Sequence, residues 1–576
     1  MKQNDRQMPK GWYRLFEILE PISVWAIVLF IIIGSYFFPY PVAVFVLIFN
    51  VYFLYTTIKV TSGVILNTIR IKIASNINWV GLLSQVDDLD TAINDLKDDI
   101  VELKSGKLDI FLYAKDKNFV SKKVGAFFRK IYITRQLKAK LNKLQELKKT
   151  NVIVPKSNDI KHVFIIATAF EPPQLIARLV NSITNQSACK NYKDNMLVLV
   201  GQESANKDYL LVREELLKQV DTSKIRDIWF NMHDLDPETE TKGKHSNVNS
   251  IARNFFPKIV NDLGWDPKLT MVHIVDTPIV LDPNYAAYMA YEFATQPEDR
   301  EYKIYSSCIL FYNNIWDIPL PNRLSNTLSS LWNINTLSKG YQFVPISSYT
   351  TTIWLAENVD YWAKTVIPED HHYFYNSFYH FGDKVMSVPI FLFTGKDAAQ
   401  AKTYFRTYKN QYNQFQRWAW GISDIGFVID NTLHAKNVPL FSRLRRMKEF
   451  LKIHFLWPTS WFLTILGTNL PFMLNPDFRR TLTGAIIPDI ISYTVLAFIF
   501  FLLVILIVDV FVKPKKVGKM DNPYIRIISL IQWISFPLVS FMYSAVPALD
   551  AHTRLMFGKY LQYKITEKVA PKKDNL

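Results

Sequence analysis

An open α/β sheet with flanking helices, set between apolar helices near both ends of the chain and preceded by a helical hairpin, is the fold that this 576-residue sequence predicts. Three observations predict it. Short apolar runs (Val163-Phe164-Ile165-Ile166, Met196-Leu197-Val198-Leu199-Val200, Met271-Val272-His273-Ile274-Val275) each precede a helical stretch, the strand–loop–helix rhythm of a buried sheet. Longer apolar runs with basic flanks stand outside that region. A heptad pattern with acidic outer faces lies between the first of these and the sheet.

Composition points the same way. A chain that is 49% hydrophobic, with 40 Phe, 29 Tyr and 14 Trp, carries more aromatic surface than a soluble enzyme needs, and its length exceeds one ordinary domain. The formal net charge of +16 sits in blocks of Lys and Arg beside the apolar runs, the positive-inside pattern rather than a basic groove, so nucleic acid is not an expected partner and the lipid bilayer is. Cys189 and Cys308 are far apart and fit no metal or disulfide framework.

Residues 1–60 read as a transmembrane hairpin. Lys2, Arg6, Lys10 and Arg14 precede an apolar run from Ile22 to Phe38, Pro39-Tyr40-Pro41 breaks it, and Val42 to Ile58 returns. No small-residue cleavage site follows the first run, which separates it from a secretory signal. Residues 61–155 read as a helical, coiled-coil-like cytosolic insert. Val86, Leu89, Ile93, Leu96, Ile100 and Leu103 alternate steps of three and four on an acidic helix, and Ile133, Leu137, Leu141 and Leu144 mark a basic helix able to pair with it antiparallel. The same surface could serve a protein partner.

Residues 156–435 form the predicted α/β domain. Glu171, Glu203 and Asp276 each fall just past a strand, and ligands of open α/β sheets bind at the carboxyl ends of strands, so the three should meet in one crevice. In Lys242-Gly243-Lys244 the glycine permits close backbone approach and Lys244 can meet a diphosphate. Farther on, Glu369-Asp370 and Gln414-Phe415-Gln416-Arg417-Trp418 supply different tools. The acid can take a proton, Arg417 can hold a leaving group's negative charge bidentately, and the face of Trp418 can stack on a sugar ring. Together they suit transfer of a sugar from a phosphate leaving group to a hydroxyl. The adjacent His371 and His372 point to different faces and lack a third ligand, which favours a structural or substrate-contact role.

Glu369-Asp370 and Gln414-x-x-Arg417-Trp418 resemble the E-D and Q-x-x-R-W motifs of membrane-embedded family 2 glycosyltransferases, the group that includes cellulose, hyaluronan and chitin synthases. The resemblance implies a GT-A-like open mixed sheet. It also implies Asp370 as general base supported by Glu369, Gln414 and Arg417 on the diphosphate side, Trp418 beneath the acceptor sugar, and Glu171, Glu203, Lys244 and Asp276 around a nucleotide-sugar donor. Tyr563-Lys564-Ile565-Thr566-Glu567-Lys568 is similar to the F-x-V-T-x-K gating motif of cellulose synthases, which implies gating roles for Tyr563, Thr566 and Lys568 in a cytosolic tail, 551–576. Two departures matter. Where the family has D-D-G, the chain reads Gly201-Gln202-Glu203-Ser204, leaving the base open. Where the family holds Mg²⁺ or Mn²⁺ with D-x-D, the chain reads Asp276-Thr277-Pro278, and proline is no ligand. Either Asp276 holds a metal with diphosphate and waters, or Lys244 and Arg417 carry the charge, or activity is impaired.

Residues 436–550 should hold an interface helix and C-terminal transmembrane or re-entrant helices. Phe441-Ser442-Arg443-Leu444-Arg445-Arg446 is expected at the bilayer surface with its arginines among headgroups, Phe455–Leu474 and Ile490–Val508 are expected spans, and 525–549 a re-entrant or interface-lying pair. The expectation is a multi-pass protein of the plasma membrane with a cytosolic, inverting glycosyltransferase domain acting on a growing polysaccharide or other glycan acceptor. A catalytically silent scaffold and a non-processive transferase to a lipid-linked acceptor are the alternatives.

Overall fold

The computed structural model describes residues 9–105, 124–150, 152–296, 298–513 and 531–562. Its centre is an open mixed sheet built from β1 (Lys161–Ala167), β2 (Met196–Glu203), β3 (Asp227–His233), β4 (Thr270–Ile274), β5 (Ile279–Leu281), β6 (Ile304–Leu310), β7 (Tyr349–Thr352) and β8 (Ser387–Lys396). The spatial order is β3-β2-β1-β4-β7-β6-β8-β5. Strands β1 to β4 pair parallel, which requires helical crossovers, and helices cover both faces. Hence β1, β2 and β4 are buried along nearly their whole length and read as unbroken apolar runs. Antiparallel β7 sets its start beside the end of β4, pairing Ile274 with Tyr349, and antiparallel β5 pairs Ile279 with Lys396 at the end of β8. Those two pairings bring late parts of the chain to the mouth of the sheet.

Among the described residues four helices are long and apolar enough to cross a membrane: Lys10–Phe37, Pro39–Ala74, Leu482–Val510 and Gln532–Met556. The first two meet at Phe38-Pro39, as the proline break predicts. The second runs well past its expected end at Ile58. Its last turns enter the α/β domain, where Val64 and Ile71 are buried and Asn67 Nδ2 donates to Ile334 O (2.8 Å) and Ser338 Oγ (2.7 Å).

Two expectations for the C-terminal region change. Phe455–Leu474 belongs to a longer helical path (Leu440–Trp461, a π-helical turn at Phe462–Leu466, Gly467–Leu474) and is not among the four, because Thr, Ser, Asn and Pro dilute its apolar face. The helical run Gln532–Met556 takes its place by length and composition, although Tyr543 OH reaches Asn322 Oδ1 (3.5 Å) and Tyr412 OH donates to Asp550 (3.0 Å), so the run lies along helices of the α/β domain.

Two of the three arginines expected among headgroups, Arg443 and Arg446, are instead buried. Arg443 donates to Thr432 O (2.7 Å). Arg446, 4% exposed, donates to Gln342 O (2.9 Å) and lies 4.9 Å and 5.4 Å from the ring centroids of Phe374 and Phe378. A guanidinium is satisfied as well by carbonyls and ring faces as by headgroups, and here the carbonyls are those of Thr432 and Gln342 and the rings lie on the helix Glu369–Phe381.

The helices Leu89–Ser105 and Val124–Lys149 pack together through Ala92, Ile93, Leu96, Ile100, Leu103, Leu137, Leu144 and Leu147. The seam starts at Leu89, one heptad step later than the spacing suggests. Asp88 accepts from Asp90 N and Thr91 N and starts a new helix, while Val86 belongs to the core with Trp79 and Leu83.

Candidate active site

The mouth of the sheet is organised by Ser347, a residue that no sequence motif singles out. In the β4–β7 register Ser347 stands opposite Asp276, and its backbone sits in the left-handed region at φ 64°, sparsely populated by side-chain-bearing residues. From there its Oγ donates to Asp276 Oδ2 (2.5 Å), its carbonyl accepts from Lys244 Nζ (2.8 Å) and its N–H donates to Asp370 Oδ2. One strained residue thus ties three of the expected site residues together.

Lys244 opens the helix Lys244–Asn261 and pairs with Asp276 Oδ1 and with Glu369 Oε1 (2.8 Å). With the Ser347 carbonyl, each of its N–H donors has a partner. A second lysine completes the cluster: Lys396 Nζ, at the end of β8, lies 2.6 Å from Asp276 Oδ2 and 2.7 Å from Ser347 Oγ. Burial alone would raise the Asp276 pKa, but the two ammoniums outweigh it and hold the carboxyl well below the usual range. Burial likewise opposes the charge on Lys244, and Asp276 and Glu369 more than restore it.

Glu369, only 9% exposed, is pushed up to about 7 by burial, with Asp370 and Asp276 adding to the rise and Lys244 opposing it. Above that pH its anion would face an incoming phosphate, whereas below it the neutral acid leaves Lys244 to the ligand. Affinity of this mouth for an anion is therefore expected to weaken as pH rises through about 7, by at most about tenfold per unit for one proton, and Glu369→Gln should flatten that dependence. Calorimetric titration of sulfate, whose charge is constant over the range, from pH 6 to 8 checks it. An unchanged slope in the variant would exclude Glu369 as the titrating group.

Glu171 and Glu203 border the same mouth. Glu171 accepts from Ala169 N (2.7 Å). Glu203 is held by Asn247 Nδ2 (2.8 Å) and by His233 Nδ1 (3.0 Å), whose Nε2 meets Glu240 (2.8 Å). Asn247 approaches so closely because Gly201 has no side chain; a Cβ there would collide with Asn247 Oδ1. Although burial opposes its protonation, Glu203 and Glu240 raise the pKa of His233.

The helix Tyr404–Ala419 carries the remaining motif. Trp418 packs on Phe311 (centroids 5.6 Å) and Phe415 (4.9 Å), and Phe311 in turn lies 5.9 Å from Lys396 Nζ, so Trp418 reaches the acidic cluster through one ring. Arg417 is half-buried beside it. Gln414 departs from the expected grouping, since its amide faces Gln411 (3.4 Å) in a buried amide seam with Asn326 rather than the carboxylates. His372 Nδ1 meets Asp424 Oδ1 at 3.1 Å, and His371 Nδ1 lies 3.7 Å from Asp424 Oδ2. Tyr563, Thr566 and Lys568 lie outside the described residues. The chain leaves the described part beside Trp420, whose ring is 6.2 Å from that of Tyr560, and Tyr560 OH donates to Glu17 (2.6 Å).

A divalent cation does not fit this donor set. Both oxygens of Asp276 are taken by cationic or hydroxyl donors, Pro278 offers none, and among the described residues no group of three or more His, Cys, Asp or Glu side chains could hold a metal.

No family model matches the chain, and no curated protein matches it. Solved structures do show similarity. A mannosyltransferase from Pyrobaculum calidifontis in complex with GDP-Man and Mn²⁺ aligns at 12% identity and a TM-score of 0.36, over 69% of this chain and 88% of that one. Residues 1–349 of S. aureus TarS in complex with UDP align at 12% identity and a TM-score of 0.30, over 70% of this chain and 94% of that one.

Proposed function

We propose that this chain is an inverting family 2 glycosyltransferase that moves a sugar from a nucleotide-sugar donor to a hydroxyl of a glycan acceptor at the cytoplasmic membrane face. The observation that carries the reading is the convergence of Lys244, Asp276 and Asp370 on Ser347, with Glu369 on Lys244, at the carboxyl ends of the parallel strands. Asp370 takes the proton of the acceptor hydroxyl as its oxygen attacks the sugar's C1. The bond from C1 to the diphosphate oxygen breaks with its electron pair on the leaving nucleoside diphosphate, and attack from the opposite face inverts the centre. Cations at the mouth hold the charge that develops on the leaving group. Trp418 offers its face to the acceptor sugar and Arg417 a bidentate grip on phosphate. Extension of a polysaccharide is favoured over transfer to a lipid phosphate, because Q-x-x-R-W accompanies processive members in the resemblance.

Mass spectrometry of products made by the purified chain from a panel of nucleotide sugars tests the reading. A transferred hexose with one donor supports it, and nucleotide binding without product from any donor would leave a silent scaffold. The same assay tests Tyr563, Thr566 and Lys568 as a gate. Truncation after Leu561 keeps the Tyr560–Glu17 bond and is expected to cut transfer about tenfold or more with a smaller loss of donor affinity, since closure that excludes water serves chemistry more than encounter. Full-rate transfer by the truncated chain would remove the gate.

A further inference from the structure

We propose that Lys396, acting with Lys244, holds the donor diphosphate where the resembled enzymes use a divalent cation. The inference rests on the glycosyltransferase reading and concerns how its donor is bound.

Two ammonium groups carry the same formal charge as one Mg²⁺ or Mn²⁺, and here they grip opposite oxygens of the single remaining carboxylate, Asp276. The fold places them deliberately apart in sequence and together in space. Lys244 comes from the start of a crossover helix, and Lys396 from the end of β8, carried there by the antiparallel pairing of Ile279 with Lys396 three residues past Asp276. The neighbour that could cancel Lys396 is turned away, since Asp397 is held by Arg178 at 2.6 Å. Among the groups facing the two lysines are Asp276, Glu369, Ser347 and, beside Lys396, the ring of Phe311. Two ammoniums thus share one bridging carboxylate, Asp276, in a largely buried setting, while the oxygens of nearby Asp370 are held by Ser347 N and His371 N. Two ammoniums so placed can each turn a donor toward a second anion, and a diphosphate supplies oxygens for both. Pro278, where a second metal-binding acid would be expected, then costs nothing.

Calorimetric titration of UDP and GDP into the purified full-length chain, in EDTA and in millimolar Mn²⁺, tests this. The tighter-binding nucleotide should bind in EDTA with a Kd within about threefold of that in Mn²⁺, and Lys396→Met should weaken it about tenfold or more in both buffers, the loss of a charged hydrogen bond. Lys396→Arg should keep most of the affinity, which separates lost charge from lost folding. In the double variant Lys396→Ala, Pro278→Asp, binding should become dependent on Mn²⁺. Wild-type binding that disappears in EDTA and returns with Mn²⁺ would overturn the lysine assignment while leaving the glycosyltransferase reading intact. So would a Lys396→Met variant that binds like wild type. No binding of either nucleotide in either buffer would overturn the donor reading itself, and the lysine assignment with it.

Discussion

Asp370→Asn is expected to lower sugar transfer by about 10²-fold or more while leaving nucleoside diphosphate affinity within a few-fold, because an amide cannot accept the acceptor's proton. The setting of Asp370 makes the test clean. It is half-buried, and its two oxygens accept from Ser347 N and from His371 N (2.8 Å), bonds that orient the carboxylate without neutralising it. Asparagine is isosteric but keeps one acceptor oxygen, so one of the two N–H bonds survives and the other is lost, and a thermal midpoint measured beside transfer separates that loss from the missing base. Single-turnover transfer measured beside calorimetric affinity separates chemistry from binding. Its neighbour behaves differently. Glu369 is buried against Lys244, and its replacement by Gln should act on the pH dependence of binding. Near-wild-type transfer by Asp370→Asn would remove Asp370 from the role of base.

Trp79→Ala is expected to destabilise the protein by about 3–5 kcal/mol, the range for truncating a buried tryptophan. Trp79 is 2% exposed and joins three parts of the molecule. Its ring stacks on Tyr288 with centroids 3.8 Å apart, its Nε1 donates to Ala74 O (2.7 Å) where the second apolar helix ends, and Lys140 of the insert lies 4.1 Å from its ring centroid. Truncation therefore leaves a cavity, removes one of two hydrogen bonds to Ala74 O and leaves a buried ammonium without its ring. That environment already lowers Lys140 to about 8, through burial. Thermal unfolding of the detergent-solubilised protein should show the loss, and Lys140→Met should cost less because a straight apolar chain can cover the ring. A midpoint for Trp79→Ala that matches wild type would mean that the insert does not depend on this contact.

What the sequence determined by itself is the layout: a sheet, apolar helices on either side of it, and a paired helical insert. Parallel strands buried on both faces must be apolar throughout, and helices that bury one stripe must repeat every three to four residues, so both announce themselves locally. Asp276 was legible for a similar reason, just past a strand, whereas Lys244 was read from its glycine loop and Glu369-Asp370 from the resemblance to an E-D motif. Tertiary structure alone decided what they touch. Ser347 and Lys396 enter the site through antiparallel pairings of β7 with β4 and of β8 with β5, and a strand's alternation does not say which distant strand it will join. Arg443 and Arg446 show the same limit from the other side. A basic amphipathic pattern fits headgroups and buried carbonyls equally well, and only the packing of the helix Leu440–Trp461 against the Thr432 and Gln342 carbonyls and the Phe374 and Phe378 rings chose between them, because a desolvated guanidinium settles wherever enough acceptors and ring faces converge.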